Sequence, residues 1–282
     1  MSISIRPLVD TDLETADVIL RLAFQSSASR LHDLWLYRQM QPDGWFGATQ
    51  GEHLVGMVGA VHYGAFAHVG FMAVHPEAQR QGVGLALMQF LLAELEKQHV
   101  PLVTLDASAA GRPLYEKLGF VAYDETLVFQ RQNNGAIPDR AAHIQSISDR
   151  ELDELAEWDS GFFGANRLKV LKVLLDNYPE RSFIKRDKDG QLAGYLFALK
   201  NRIGPWVMLQ ESHAEELLQA ALALPYDETI SVNIPAGNRE ALALLQRNDF
   251  KLVRANLHMG RGTGGNPGQR QNIYSQTSLA VG

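Results

Sequence analysis

Apolar and polar positions in the first 130 residues predict a mixed succession of strands and helices. Thr11–Glu14 matches a capping box, in which the threonine and glutamate side chains would bond exposed backbone N–H groups. The helix predicted after it carries an apolar stripe from Leu13 to Phe24, and further helices are predicted from Gly84 and over Arg112–Leu118. Strands are predicted at Ile3–Pro7, Trp45–Ala48, His53–Val61, His68–Val74, Pro101–Asp106 and Phe120–Phe129.

The residues after 140 repeat this order and predict a second copy of the fold. Residues 131–139 have linker composition, and Ala142–Ile147 alternates as a strand before a second capping box at Ser148–Glu151. Three pairs of positions correspond between the halves: Gly56 with Gly194, Asp106 with Asn233, and Phe120 with Phe250. We therefore predict two α/β domains, residues 1–132 and 140–282, each a mainly antiparallel mixed sheet flanked by helices.

Composition narrows the class of protein. Of 282 residues, 46% are hydrophobic and 21% charged, as in globular proteins, and the length fits two domains. The chain has no cysteine and a net charge of −6, which excludes disulfides and argues against nucleic-acid binding. We found no long apolar run, no signal-peptide core and no spacing typical of a metal site. We expect a cytoplasmic monomer or homodimer with no membrane, nucleic-acid or metal partner.

One segment predicts an anion site. The segment QRQGVG (residues 79–84) contains Gly82 and Gly84 just where a helix is predicted to begin, so the backbone there could approach phosphate oxygens closely. The first N–H groups of a helix have no intrahelical partner and carry the positive end of its dipole. The segment lacks the lysine of a Walker loop, and Leu87 stands where a dinucleotide-binding fold needs its third glycine.

Two motifs in the first half resemble those of the GCN5-related N-acetyltransferase (GNAT) superfamily. Val74-His75-Pro76 followed by Gln79–Gly84 resembles its acyl-CoA motif, and Leu114–Phe120 (LYEKLGF) resembles its second hallmark. The segment from Ile5 to Leu13 also resembles the usual opening of these proteins. The second half looks like a degenerate GNAT-like domain, because its corresponding stretch is about ten residues shorter and has no glycine-rich turn.

The resemblance implies roles for particular residues. Tyr115 would be the general acid that protonates the departing CoA thiolate. The superfamily often places an asparagine on the turn before the tyrosine's helix, where it bonds pantetheine; here Ser108 could take that contact. The acetyl-CoA site would comprise Met72, Ala73, Val74 and Ser108 along the pantetheine, and Gln79, Arg80, Gln81, Gly82, Val83, Gly84 and Leu85 around the pyrophosphate.

The general base stays open at this point. Four side chains are candidates for this base: His68, Glu52, His62 and His75. A water-mediated route without a single base is the alternative. In the second half, Asp159, Phe162, Phe163 and Arg167, together with Trp206, form either part of a substrate pocket or a core cluster with a salt bridge.

We therefore expect transfer of acetyl from acetyl-CoA to a primary amine of a small molecule or peptide, by direct attack in a ternary complex. An acyltransferase that uses another acyl-CoA, and a CoA-binding sensor or assembly protein without turnover, are the alternatives. Only the first half should bind the acetyl donor.

Overall fold

The structure is a computed structural model, and it describes residues 3–133 and 144–282. The predicted linker at 131–139 and the start of the predicted strand at 142–147 lie mainly outside these ranges. The first half contains six strands and four helices: β1 (Ile3–Pro7), α1 (Leu13–Ala23), α2 (Leu31–Met40), β2 (Trp45–Gln50), β3 (His53–His62), β4 (Ala67–Val74), α3 (Val83–Lys97), β5 (Leu102–Ala107), α4 (Arg112–Lys117) and β6 (Val121–Gln132).

The second half repeats the succession with one additional short strand. Its elements are β7 (Gln145–Ser146), α5 (Asp149–Phe163), α6 (Leu168–Asn177), β8 (Ser182–Arg186), β9 (Leu192–Ala198), β10 (Arg202–Met208), α7 (Glu211–Leu222), β11 (Thr229–Pro235), α8 (Arg239–Arg247), β12 (Lys251–Gly262) and β13 (Ile273–Ser275). None of the helices within the described ranges combines the length and apolarity needed to cross a membrane.

All 13 strands form one continuous mixed sheet, and the two halves exchange their 12-residue strands β6 and β12 within it. The order is β1-β2-β3-β4-β5-β12-β6-β11-β10-β9-β8-β7, and β13 pairs with β10. Strand β12 of the second half therefore lies between β5 and β6 of the first, antiparallel to both. In turn, β6 pairs antiparallel with β11 over seven residues, Leu127 opposite Ile234 among them. The backbone ladder thus joins the halves without a break.

Helices cover both faces of the sheet. On one face, α1, α2, α5 and α6 share a single hydrophobic core that spans both halves and includes Leu20, Leu36, Leu155 and Leu171. On the other face, α3 and α4 pack on the first half, and α7 and α8 pack separately on the second. Alternation along β5 places Val103, Leu105 and Ala107 on the α3 face. Thr104 and Asp106 consequently lie on the opposite face.

Two helix starts test the predicted capping boxes. The box at Ser148–Glu151 is confirmed, because the Glu151 carboxylate accepts a hydrogen bond from the Ser148 N–H at 2.9 Å. The prediction of a capping box at Thr11–Glu14 is wrong. A short 3-10 turn at Asp10–Asp12 comes first, and its Asp12 carboxylate accepts the Val9 N–H at 2.9 Å. Asp12 performs the capping because it is also fixed by a two-pronged ion pair with Arg6.

Candidate active site

The central feature of the first half is a fork between the parallel strands β4 and β5. The two strands are hydrogen-bonded only from Ala67 to Val69, opposite Val103 to Leu105, so the edge of β4 from Gly70 onwards is open. A bulge opposite Val58 in β3 distorts β4 at this point, where Phe71 has a φ of 50°. A bulge leaves backbone groups outside the ladder. The fork therefore offers free N–H and C=O groups to an extended ligand that carries amides.

The predicted anion loop lies at the mouth of this fork. After β4, a 3-10 turn at Pro76–Ala78 leads through Gln79–Gly82 into α3, which begins at Val83. Gly82 has a φ of 86° and Arg80 a φ of 60°, so the chain turns through two left-handed residues before the helix. The first turn of α3 carries no acidic side chain. Its backbone N–H groups are therefore available to an anion.

Gly84 brings this helix start close to the strand that would hold the rest of the ligand. A Cβ atom at Gly84 would lie 2.6 Å from the Cε atom of Met72 on β4. Only glycine fits there without displacing Met72. The residues predicted to contact pantetheine and pyrophosphate thus adjoin one another along one side of the fork.

The polar side chains of the loop mainly shape it. The Gln79 side chain donates to the Val74 carbonyl at 3.0 Å, and the Gln81 side chain donates to the Glu77 carbonyl at 2.6 Å. Arg80 is exposed and makes no ion pair within the described residues, so its charge is free to act on an anion. Val83 is buried, while Leu85 is half-buried in the first helical turn.

Tyr115 lies on α4, on the same face of the sheet as α3. It is 8% exposed and packs edge-on against Phe120, with ring centroids 5.9 Å apart. Within residues 3–133 and 144–282 its hydroxyl has no hydrogen-bond partner. Burial raises the pKa of Tyr115 to about 12, so the hydroxyl keeps its proton at neutral pH. A buried phenol with an uncommitted O–H is suited to donate a proton.

Ser108 follows β5 at the start of the turn into α4. Its Oγ atom accepts a hydrogen bond from the Gly111 N–H at 3.2 Å, and its hydroxyl proton is left for another acceptor. Ser108 is exposed at the tip of β5. It therefore helps to form the turn that precedes the tyrosine helix, and can still donate to a ligand.

The second half has the corresponding fork between β10 and β11, but it is filled. These parallel strands pair only at Arg202 and Ile203, and β13 then pairs with β10 where they diverge. The Asn233 N–H of β11 donates to the Ser275 hydroxyl at 3.2 Å, and the Gln276 N–H donates to the Asn233 carbonyl at 2.8 Å. The chain itself occupies the position that is open in the first half.

On the α1 face, beside the root of the first fork, a buried polar cluster joins the two halves. Asp106 of β5 is the centre of this cluster, and three side chains donate to its carboxylate: Thr126 at 2.6 Å, His258 Nδ1 at 3.1 Å and Gln276 Nε2 at 3.2 Å. Burial alone would raise the pKa of Asp106, but His258, His68 and Arg270 together hold it well below its usual range. Sequence reasoning missed this cluster, since it singled out Asp106 only as a repeat position.

The four base candidates have different surroundings. His68 is buried, with Nδ1 3.0 Å from the Thr104 hydroxyl and Nε2 3.3 Å from the Leu279 carbonyl, so both ring nitrogens are engaged. Burial lowers the pKa of His68 to about 4. His75 accepts the Glu77 N–H in the loop, and His62 is half-buried at the end of β3. Glu52 is exposed in the β2–β3 turn.

The cluster suggested in the second half is a buried ion pair that also borders a cavity. Arg167 donates to both carboxylate oxygens of Asp159, at 2.7 and 2.9 Å, and stacks on Phe163. Phe163 and Arg167 contribute to the wall of a small cavity next to His68 and His258. The salt bridge interpretation is thus confirmed, and the cavity is shared by both halves.

In the described ranges, no group of three or more His, Asp or Glu side chains is arranged to hold a metal ion.

A forked mixed sheet with a glycine-rich helix start at its mouth and a buried tyrosine beside it defines an acyl-CoA transferase fold. Comparisons with known proteins agree. Residues 24–132 and, separately, 155–275 match family models described as acetyltransferase (GNAT) domains. The chain belongs to the GNAT acetyltransferase family and carries two such domains in tandem, with acyltransferase activity as its class.

Its relatives include proteins that align with it over most of both chains. The chain is 24% identical over 258 residues to the holothin acyltransferase of Pseudoalteromonas sp., covering 89% of this chain and 86% of that one. It is 23% identical over 235 residues to the uncharacterized N-acetyltransferase YitH of Bacillus subtilis, covering 81% and 82% of the two chains. A putative acetyltransferase from Pyrococcus horikoshii has a TM-score of 0.85 at 25% identity, covering 99% and 96%. A tandem GNAT protein from the clavulanic acid biosynthesis pathway has a TM-score of 0.62 at 14% identity, covering 94% and 100%, and shares the fold.

Proposed function

We propose that this protein transfers the acetyl group of acetyl-CoA to a primary amine in the first-half fork. The observation that carries the proposal is the junction of three features: the open edge of β4, the glycine-rich start of α3 and the unpaired hydroxyl of the buried Tyr115 side chain, judged against the described residues. Pantetheine would pair with the backbone of Met72–Val74, and the N–H groups around Gly82–Leu85 would hold the pyrophosphate, assisted by Gln79, Arg80 and Gln81. Ser108 would donate to the pantetheine from the β5 side.

The reaction would proceed by direct attack within a ternary complex. The amine nitrogen forms a bond with the thioester carbonyl carbon, and a backbone N–H of the bulged strand β4 stabilises the oxyanion. The C–S bond then breaks, and Tyr115 supplies the proton that the CoA thiolate takes up. Because burial raises the pKa of Tyr115 above that of a thiol, about 8.5, the proton is held until the thiolate develops.

Isothermal titration with acetyl-CoA, followed by a thiol-release assay with a panel of amines, tests this proposal. Binding of acetyl-CoA with amine-dependent release of CoA would support it. The holothin acyltransferase is named for acyl rather than acetyl transfer, so propionyl-CoA and succinyl-CoA belong in the same titration. If one of these compounds binds more tightly and turns over faster than acetyl-CoA, that compound is the donor instead. Binding of CoA without thiol release across the panel would instead indicate a sensor, and no binding of any acyl-CoA would refute the proposal.

The acceptor class is a primary amine in this proposal, either on a small molecule or on a peptide. A short stretch of the chain is 48% identical over 52 residues to the ribosomal protein bS18-alanine N-acetyltransferase of Escherichia coli, which acts on a protein. Peptide N-termini therefore belong in the amine panel beside small amines.

A further inference from the structure

The side of the first fork opposite Tyr115 holds a narrow cavity built by both halves, called here the junction slot. His68 and Thr104 line it from the first half, and His258, Arg270 and Gln276 line it from the second. Its volume is about 20 Å3, enough for one water-sized group. Phe66 and Phe163 form its apolar wall. A site of this size can receive the head of a ligand but not a whole acceptor molecule.

Two buried hydrogen-bond acceptors that line the slot have no protein partner. They are the Nε2 atom of His258 and the Oε1 atom of Gln276, judged against the residues that the structure describes. Both side chains are more than nine-tenths buried, with exposures of 3% and 4%. An unsatisfied buried acceptor destabilises the folded protein, so such a pair favours a ligand that supplies N–H or O–H donors.

The Asp106 carboxylate fixes which atoms are left as acceptors. Arg270 donates to the Thr126 hydroxyl at 3.1 Å, so the hydrogen of that hydroxyl points to Asp106 Oδ1 at 2.6 Å, and this oxygen is an acceptor. The nearest atom of His258, Nδ1, must therefore carry a hydrogen, and in the neutral ring Nε2 then has a free lone pair. For the same reason, the Gln276 NH2 group faces Asp106, and the side-chain oxygen of Gln276 is left free.

We propose that the junction slot receives the amino group of the acceptor and that His258 is the base that deprotonates it. The inference rests on the proposed function of the first fork. His258 comes from β12, the strand that the second half contributes between β5 and β6, so the reaction centre would require both halves. The remaining charges around the slot are paired: Arg270 with Asp124, and Arg167 with Asp159.

The proton balance assigns separate roles to the two faces of the sheet. A bound ammonium gives one proton to His258 Nε2, and the Asp106 carboxylate stabilises the imidazolium that forms. The free amine attacks the thioester carbon, the C–S bond breaks, and the thiolate takes the Tyr115 proton. The second amine proton replaces the one that Tyr115 gave, and His258 returns the first to solvent. The products are an N-acetyl amine, CoA thiol and one proton.

The small size of the slot distinguishes primary amines from methylated ones. A primary ammonium is about as large as a water molecule and offers three N–H donors, while a trimethylated one is larger and offers one. Overfilling a tight cavity costs about 1–3 kcal/mol, which corresponds to about a 5- to 150-fold difference in affinity. The slot therefore selects primary amines.

The test uses methylamine and trimethylamine as probes of the full-length protein labelled with 15N-histidine. We expect the wild-type spectrum to show His258 with a protonated Nδ1 and an unprotonated Nε2, and methylamine to shift that Nε2 signal. Trimethylamine should bind at least about fivefold more weakly. His258→Gln, which can still donate to Asp106, assigns the signal, and His53→Gln on the exposed edge of β3 is the matched control. The opposite tautomer, or no shift with methylamine, would overturn the proposal.

Kinetics test the base role in the same variants. Methylamine-dependent release of CoA from acetyl-CoA should fall about 100-fold in His258→Gln and stay unchanged in His53→Gln. Equal rates in His258→Gln and wild type would overturn the role of His258, as would the absence of methylamine-dependent release from a wild-type protein that binds acetyl-CoA. Acetyl-CoA affinity should be the same in all three proteins. A wild type that binds no acetyl-CoA would contradict the function of the first fork, not the slot.

Discussion

The two halves are copies of one fold whose forks differ in what fills them. Between β4 and β5 the fork is open, whereas between β10 and β11 the chain inserts its own β13. The Asn238 side chain, on the turn before α8, donates to the Ile273 carbonyl of β13 at 3.0 Å. That turn corresponds to the one on which Ser108 lies. A segment of backbone in the second half thus takes the place that we assign to pantetheine in the first.

The helix starts beside the two forks differ in the same sense. The first turn of α3 follows the glycine-rich loop and has no acidic residue, while α7 follows the extended residue Gln210 and begins with Glu211. Leu245 stands five residues before Phe250, as Tyr115 stands five before Phe120, and both phenylalanine N–H groups donate to those residues' carbonyls at 3.0 Å. Packing in the second half thus replaces the two features that we propose as anion site and acid in the first, and its fork is closed by hydrogen bonds within the chain.

The largest expected effect comes from placing a negative charge at the first helix start. Gly84→Asp should weaken acetyl-CoA binding by at least about 100-fold, because like charges brought together at a binding site cost several kcal/mol. Ser212→Asp places the same charge in the first turn of α7 and should change nothing. Isothermal titration should also give one acetyl-CoA per chain in the wild type. Unchanged affinity in Gly84→Asp, or weaker binding in Ser212→Asp, would refute the assignment of the two helix starts.

Removal of the acid should affect the rate alone. Tyr115→Phe should lower kcat about 100-fold and leave the Kd for acetyl-CoA unchanged. Because the pKa of Tyr115 is raised to about 12, the ratio of wild-type to variant rates should stay constant between about pH 7 and pH 10. Tyr226→Phe removes another buried hydroxyl, one that lacks a partner in the described ranges, and should be neutral. A Tyr115→Phe protein of normal kcat would show that the thiolate leaves without this proton.

A change in the filled fork should act on stability and not on binding. The Ser275 hydroxyl donates to the Ile203 carbonyl at 2.7 Å and accepts the Asn233 N–H at 3.2 Å. Ser275→Ala leaves both groups buried and unpaired, so the free energy of unfolding should fall by about 2 kcal/mol. Urea unfolding measures this change, with Ser146→Ala on exposed β7 as the control. A drop in acetyl-CoA affinity without a change in stability would mean that the second fork takes part in donor binding.

The smallest effect is expected at Arg80. Its φ of 60° suits glycine, so Arg80→Gly removes the charge without distorting the loop. Acetyl-CoA binding should weaken about fivefold at low salt, and the difference should shrink as salt is added, because an exposed charge contributes about 1 kcal/mol or less. Lys188→Ala, at an exposed turn of the second half, is the matched control. A salt-independent loss would mean that Arg80 shapes the loop instead.

Features that depend on neighbouring residues could be predicted from the sequence. The turn at Gly82 and Gly84, the helix that ends before Gly119 and the Ser148 cap are each set within a few positions, and the repeat identified two copies of the fold. Helix α2 was missed. Its buried residues Leu34, Leu36, Tyr37 and Met40 do not fall on one narrow stripe, because the helix is covered from more than one side.

Features that depend on long-range pairing could not be predicted. Nothing in the pattern of β12 shows that it lies between β5 and β6, since every strand of alternating residues fits many neighbours equally well. For the same reason His258 and Asp106, 152 positions apart, could not be associated. A polar residue on the covered face of a strand, as His258 is, was the available signal for the junction slot.

The exchange of β6 and β12 also has a consequence for how this protein can be divided. A cut between residues 133 and 144 would not release two independent enzymes, because each fragment would carry the strand that completes the sheet of the other. The fragments should instead be complementary: inactive when produced alone, and able to reconstitute one active particle when produced together.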